Sequence, residues 1–191
     1  LDGVAKAVRL LTAMGRACEA LGVAFHGNTA VQDLETEGGR IVAVVTDKGR
    51  IEAENVLLCT NIWGPVLVQK FGISIPLMAA QHIYTVTSPV RELAGETVEV
   101  RHPLMRHQDH AMYFRQHGDG YGVGSYRHAP LMVDPRDLEK TAKKPFTPEH
   151  FESGWESATE LMPPLKNTEI VTKFNGMFAF TTDGYPVMGE T

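Results

Sequence analysis

The sequence predicts a chain in two parts, an α/β segment followed by an α+β segment that is built on a mainly antiparallel sheet. Residues 1–74 combine a helical apolar pattern, three short alternating segments and one continuous apolar run. Residues 75–180 carry longer alternating segments, which are typical of antiparallel strands. With 43% hydrophobic and 21% charged residues, the 191-residue chain has enough apolar material for a core.

The first part is predicted to begin with an amphipathic helix. Apolar side chains in residues 2–21 recur at three- and four-residue steps, which is the spacing of one buried helix face, and Gly22 then ends the helix. A short strand is predicted at residues 23–26. A meander follows, in which short glycine-containing turns join three antiparallel strands. These strands are predicted at residues 29–37, 40–46 and 50–54.

The meander leads into a buried strand and a second helix. Residues 55–60 form a continuous apolar run, which predicts a strand buried on both faces of a parallel sheet. Gly64 and Pro65 then begin a helix that ends near Gly72, because a first-turn proline gives up no intrahelical hydrogen bond.

The second part is predicted to hold four longer strands and one helix. The helix, at residues 148–161, presents an apolar face that includes Phe151 and Trp155. Residues 130–148 are rich in proline and charge and predict a surface loop. The strands are predicted at residues 80–87, 111–117, 121–126 and 169–180.

Charge and composition narrow the function classes. A net charge of −5 and a pI near 5.9 offer no general attraction for phosphate backbones or anionic lipids, so nucleic acid and membranes are not expected partners. Cys18 and Cys59 suggest no disulfide framework, which favours a cytoplasmic location. The gaps between His102, His107 and His110 match no metal-binding spacing, so no metal site is expected. The oligomeric state stays open.

Three stretches of the sequence are distinctive: residues 56–65, which end in a Trp-Gly-Pro turn, residues 106–126, and residues 174–190, which contain Phe-Thr-Thr-Asp-Gly-Tyr-Pro. In this order they resemble the D-amino-acid oxidase superfamily of FAD-dependent amine oxidoreductases, nearest its dimethylglycine- and sarcosine-oxidising branch. The first stretch is similar to a strand and turn of the FAD-binding domain, although Asn61 stands where many relatives have glycine, and the second is similar to substrate-domain strands. The third resembles the return from the substrate domain to the flavin domain.

The resemblance implies a domain order. Residues 1–74 would be the C-terminal part of an FAD-binding domain, residues 75–180 the substrate-binding domain, and residues 181–191 the return segment. The Gly-x-Gly-x-x-Gly motif that holds the FAD pyrophosphate in the family does not occur in the sequence. The chain, which starts at Leu1, is therefore expected to be a middle piece of a longer enzyme, and to be inactive and free of FAD by itself.

The resemblance also implies a reaction. The complete protein would oxidise an N-methylated glycine, of the dimethylglycine or sarcosine type, or a related secondary or tertiary amine, by hydride transfer to FAD. Such a reaction belongs to one-carbon metabolism, and relatives often carry a further C-terminal domain that binds tetrahydrofolate. The alternative is a non-catalytic binding or assembly module on the same scaffold, because a fold by itself does not fix a function.

Three site residues follow from the resemblance. His82 and Tyr113 match the family's active-site histidine and its partner tyrosine, and both are expected to line one pocket on the same side of the sheet, with Tyr113 also beside the flavin. Histidine suits control of an amine proton because its unperturbed pKa lies near 6.5. Val31 matches a position whose backbone meets the adenine end of FAD. Arginines that could bind a substrate carboxylate are Arg101, Arg106, Arg115 and Arg127.

Overall fold

Residues 4–190 are described by the computed structural model, and they contain three α-helices and ten strands. The chain divides between Ser74 and Ile75 into two units. The helices are α1 (Ala7–Ala20), α2 (Gly64–Val68) and α3 (Glu152–Leu161). The strands are β1 (Val31–Glu37), β2 (Arg40–Thr46), β3 (Gly49–Glu52), β4 (Leu77–Thr87), β5 (Met105–His107), β6 (Met112–His117), β7 (Gly120–Ser125), β8 (Leu131–Val133), β9 (Lys143–Lys144) and β10 (Ile170–Thr181).

The first unit is organised around the antiparallel meander β1-β2-β3. Leu34 of β1 and Ala43 of β2 are buried. Leu34 lies opposite Val44 and Ala43 lies opposite Glu35, so the two buried side chains point to opposite faces of the sheet. The predicted meander is confirmed, with strand ends that differ by one or two residues. The predicted start of the first helix, at residues 2 and 3, lies outside the described residues.

Two predicted strands and one predicted buried face are wrong in the first unit. Residues 23–26 and 55–60 form no strand in the described structure, and Leu57 is 87% exposed. Helix α1 is present, but none of its residues is buried, and Val8 is 80% exposed. An apolar run shows only a preference for burial. A parallel strand also needs neighbouring strands to exchange hydrogen bonds with, and no described strand pairs with residues 23–26 or 55–60.

The second predicted helix of this unit is confirmed near its expected end. Helix α2 continues into a 3₁₀ turn, and the chain leaves it at Gly72, whose φ of 76° is the left-handed conformation that glycine accommodates. Asn61 also has a positive φ, 47°. Asparagine tolerates this conformation better than most residues, so it can stand where relatives have glycine.

The second unit is a seven-stranded sheet in the order β5-β6-β7-β4-β10-β9, with β8 also paired to β4. Strand β4 is central: β10 pairs along one of its edges, and β7 and β8 share the other. Every pairing is antiparallel, which confirms the prediction for this part and the mixed α/β class of the chain. Strands β8 and β9 lie in the tract predicted as a loop, since two or three residues are too few to show a period of two.

The core lies on one face of this sheet. Ile83, Phe114 and Val123 point from neighbouring strands into one cluster with Phe151 and Leu165. The predicted helix over residues 148–161 forms as a 3₁₀ turn followed by α3. Because side chains alternate along a strand, the residues next to these core positions must point to the opposite face. Beyond Thr181 the described residues contain no helix or strand.

Candidate active site

The face opposite the core gathers aromatic and titratable side chains from three strands. His82 and Tyr84 stand on β4 and Tyr113 on β6, each next in sequence to a core-facing position, and Phe174 of β10 lies opposite Tyr84 in the register. In the pairing register, Gly124 of β7 lies opposite both Tyr84 and Tyr113.

Two glycines of β7 create the room for this arrangement. A Cβ atom at Gly124 would overlap Cζ, Cε1 and Oη of Tyr113. A Cβ atom at Gly122 would lie 2.6 Å from Cζ of Tyr84 and 2.8 Å from Cδ2 of His117. Strand β7 separates β4 from β6, so only the missing side chains allow residues of those two strands to meet across it.

His82 and Tyr113 form a hydrogen-bonded pair. The Nε2 atom of His82 lies 2.9 Å from the Tyr113 hydroxyl, and the two rings are stacked with an interplanar angle of 17°. Rings of Tyr126 and Phe178 lie 4.4 Å and 4.7 Å from the His82 ring, and His82 is only 5% exposed.

The surroundings keep both members of the pair neutral. Burial, followed by the charge of His128, lowers the pKa of His82 from 6.5 to about 4. Burial, with Tyr126 and Tyr84 adding to it, raises the pKa of Tyr113. At neutral pH the pair therefore combines an imidazole that has a lone pair with a phenol that keeps its proton.

The pair borders two neighbouring cavities. The larger, of about 300 Å³, is lined by both residues, so their predicted placement in one pocket is confirmed, while their roles stay a prediction. The smaller, of about 250 Å³, is lined by Tyr113 and Arg106 among others. The residues of the larger cavity are His82, Tyr84, Tyr113, Phe174, Gly176, Met177 and Phe178.

A second series of hydrogen-bonded side chains reaches the larger cavity through Tyr84, and of its members only Arg115 was singled out from the sequence. The Tyr84 hydroxyl lies 2.8 Å from Nε2 of His117. One guanidinium nitrogen of Arg115 lies within 3.1 Å of both His117 ring nitrogens, and the other donates to Glu99 at 2.6 Å. Burial, then the Arg115 charge, lowers the pKa of His117, with Glu99 opposing. The sequence did contain a signal for these residues. Side chains two positions apart on a strand share a face, so Tyr84 is expected beside His82, and Arg115 and His117 beside Tyr113.

The other predicted site residues lie elsewhere. Val31 begins β1 in the first unit and is 46% exposed, and its role toward a cofactor stays a prediction. Arg101 pairs with Glu96, and Arg127 donates to Ser157.

The described residues offer neither a metal centre nor a membrane span. Across residues 4–190, no group of three or more His, Cys, Asp and Glu side chains could hold a metal ion. In the same range, no helix is both long and apolar enough to cross a bilayer.

Known proteins share the sequence and the fold. The family model described as "FAD dependent oxidoreductase" matches residues 1–191. Mitochondrial sarcosine dehydrogenase of Mus musculus is 28% identical over 201 residues, and the match covers 99% of this chain and 21% of that protein. The mitochondrial pyruvate dehydrogenase phosphatase regulatory subunit of the same species is 26% identical over 194 residues, covering 100% of this chain and 22% of that protein.

Among solved structures, L-proline dehydrogenase from P. horikoshii superposes with a TM-score of 0.77 at 25% identity, covering 94% of this chain and 45% of that one. The chain thus spans about a fifth of the length of the two curated relatives.

Proposed function

The chain belongs to the family of FAD-dependent oxidoreductases, and from that premise we propose that the protein containing it oxidises an N-methylated glycine or a related secondary or tertiary amine. The observation that carries the proposal is the neutral, hydrogen-bonded pair of His82 and Tyr113 at the wall of an aromatic cavity. Similarity to sarcosine dehydrogenase, whose substrate by name is N-methylglycine, supports the choice of amine.

The residues of this face fit a flavin ring. FAD, when bound, supplies an acceptor for the two electrons of the amine C–H bond. The rings of His82, Tyr126 and Phe178 lie at mutual interplanar angles of 16° to 32°, and Phe178 and Tyr126 are 37% and 41% exposed. Roughly parallel, partly exposed rings are a surface on which a flat aromatic group stacks. Phe178, Tyr126 and Tyr113 would thus hold the ring system.

The pair would control the amine proton. An amine lone pair takes part in the oxidation only after the ammonium form has lost its proton. With a pKa of about 4, His82 is too weak a base to store that proton at neutral pH. It would instead accept a hydrogen bond from the ammonium N–H and relay that proton to solvent water, while the Tyr113 hydroxyl fixes the orientation of the imidazole. Positioned groups of this kind contribute roughly 10²- to 10⁴-fold in rate.

The test uses the full-length, flavin-loaded protein and its His82→Ala variant. Anaerobic stopped-flow reduction by dimethylglycine or sarcosine should slow by about 10²-fold or more, with the flavin-to-protein ratio unchanged. Higher pH should partly restore the rate, because more of the amine then arrives deprotonated. His102→Ala is the matched control, since His102 also contacts a tyrosine hydroxyl, that of Tyr121, but does not line the cavity. Equal reduction rates in wild type and His82→Ala would remove His82 from the mechanism.

A second candidate function is a non-catalytic regulatory or assembly module. The observation in its favour is the similarity to a protein named as a regulatory subunit, at an identity close to that of sarcosine dehydrogenase. A flavin-loaded wild-type protein that no N-methylated amine reduces would favour this candidate.

A further inference from the structure

Three histidine rings form a series that begins at the candidate site. The centroid of the His128 ring lies 6.4 Å from that of His82 and 6.2 Å from that of His150. His128 stands in the loop after β7, and His150 ends the 3₁₀ turn before α3. His82 is 5% exposed, whereas His128 and His150 are half-buried. The series therefore joins a buried residue of the site to two residues that reach solvent.

The hydrogen bond of His128 determines which of its ring nitrogens can take up a proton. Nδ1 lies 2.8 Å from the backbone carbonyl oxygen of Ala129. A carbonyl oxygen only accepts, so Nδ1 carries the hydrogen, and Nε2 of the neutral ring carries the lone pair. Nε2 is buried and has no hydrogen-bond partner among the described residues. Buried polar atoms are nearly always hydrogen-bonded, so this lone pair is available for a proton or for a donor from outside the protein.

Among the rings that surround His82, that of His128 is suited to take over a proton. The others belong to Tyr113, Tyr126 and Phe178, and neither a phenol nor a phenyl ring is protonated in the physiological pH range, whereas an imidazole is. Two imidazoles joined by a direct hydrogen bond of about 3 Å have centroids at most about 5 Å apart. At 6.4 Å, one bridging water would carry the proton from ring to ring.

The charges near His128 favour a single proton in the series. Burial, and after it the charge of His128, lowers the pKa of His82, so a proton on His128 disfavours a second one on His82. The further titratable ring in contact with His128 is that of His150, while the adjacent Arg127 donates to Ser157. Within residues 4–190 the histidines do not belong to any group that could hold a metal ion.

We propose that His128 takes over the ammonium proton of the substrate from His82, and that His150 passes this proton to solvent. The inference rests on the proposed amine oxidation and deepens it, because it assigns the path of the proton that the amine must lose. One proton leaves the ammonium nitrogen, resides on Nε2 of His128 and then reaches water, and no other bond changes in this step. His128 does not line the larger cavity, so it acts through His82 and does not contact the substrate.

The test measures single-turnover flavin reduction by dimethylglycine in the full-length, flavin-loaded protein and in its His128→Gln variant. At neutral pH the variant should be slower by about 10-fold or more, because water alone must then remove the proton. At high pH the two rates should converge, since the amine arrives deprotonated. Added imidazole should restore the rate of the variant and leave the wild type unchanged. A loss of packing at His128 would not be restored in this way.

Isotope effects separate proton loss from cleavage of the C–H bond. Deuterium on the carbon atoms of dimethylglycine should slow the wild type more than His128→Gln, whereas D₂O should slow the variant more, because proton loss limits its rate. His107→Gln is the matched control: its ring also contacts a histidine, His110, at 4.8 Å between centroids, but lies outside the larger cavity. A His128→Gln rate that equals the wild-type rate at every pH, or that imidazole does not restore, would overturn the proposal.

A second readout does not depend on oxidation. 2-Aminoisobutyrate has no hydrogen on its α-carbon and is not oxidised there, but its ammonium group can release a proton on binding. An indicator dye in stopped flow should show faster release in the wild type than in His128→Gln. Such release in a protein that neither dimethylglycine nor sarcosine reduces would refute the amine oxidation and support the relay. Oxidation of dimethylglycine with equal or absent proton release in both proteins would overturn the relay alone. A protein that neither oxidises an amine nor releases a proton from one would overturn both.

Discussion

Replacing Gly124 by alanine tests whether the glycines of β7 build the candidate site. The new Cβ would overlap the Tyr113 ring at Cζ, Cε1 and Oη. Since carbon atoms pack at about 3.5 to 4.0 Å, the ring must retreat by on the order of 1 Å. The hydrogen bond of 2.9 Å between His82 and Tyr113 would then stretch beyond the range of an effective bond.

Two magnitudes follow from that displacement. Overpacking should cost about 1 to 3 kcal/mol in the free energy of unfolding. Misplacement of a positioned group by about 1 Å should slow substrate-dependent flavin reduction by about 10²-fold. The rate is measured by anaerobic stopped flow in the full-length protein. Hydrogen exchange of the β4 peptide, residues 77–87, measures the stability of this sheet separately from the rest of the molecule.

Gly176→Ala is the matched control. Gly176 also lines the larger cavity, but a Cβ there would meet only ordinary contacts, at 3.7 Å from a Phe174 ring atom and 3.9 Å from the His82 carbonyl oxygen. It should leave the stability of the sheet nearly unchanged and the hydrogen bond between His82 and Tyr113 intact. If Gly124→Ala reduced its flavin as fast as Gly176→Ala does, the hydrogen bond between His82 and Tyr113 would have no part in the reaction.

Two further outcomes are expected from burial. Phe151→Ala removes a core ring that is 3% exposed and contacts Phe146 and Trp155. The free energy of unfolding of the second unit should therefore fall by about 3 to 5 kcal/mol, as measured by hydrogen exchange. A decrease below about 1 kcal/mol would contradict this expectation. Acidification from pH 7.5 to 5 should weaken β4 more in the wild type than in His82→Gln, by about 2 kcal/mol, as measured by the same exchange experiment.

The alternation of residues in the second unit was readable in the sequence because side-chain direction is local. His82 and Tyr84 share a face by their spacing alone, as do Tyr113 and Arg115. Periodicity did not predict that side chains of β4 and β6 would touch. Their contact depends on β7, which pairs with both strands and places Gly124 opposite Tyr84 and Tyr113. The resemblance to a known family supplied that pairing for His82 and Tyr113, and it said nothing of Tyr84.

The errors in the first unit arose because burial was inferred from hydrophobicity alone. The apolar face of α1 and the run at residues 55–60 were read as buried, yet Leu11 is 65% exposed and Leu57 is 87% exposed. Hydrophobicity states which surface prefers to leave water, but burial also requires a partner surface, and the described residues do not provide one. The strands β8 and β9 were missed because segments of two or three residues are held by their neighbours in the sheet and leave no periodic signal of their own.

The direction of the pH effect at His82 follows from which state binds the proton. In the unfolded chain the imidazole protonates near pH 6.5, whereas in the folded chain its pKa is about 4. Between these values the unfolded state holds more protons, so stability falls as the pH drops through this window and is constant, for this group, above and below it. The complete loss is about 3 kcal/mol, and about 2 kcal/mol of it has accrued at pH 5. His82→Gln removes the titration but keeps a polar side chain, and groups that titrate in both proteins cancel in the comparison. Identical pH dependence of β4 exchange in the two proteins would show that His82 is hydrated, and that its imidazole is a stronger base than the buried geometry implies.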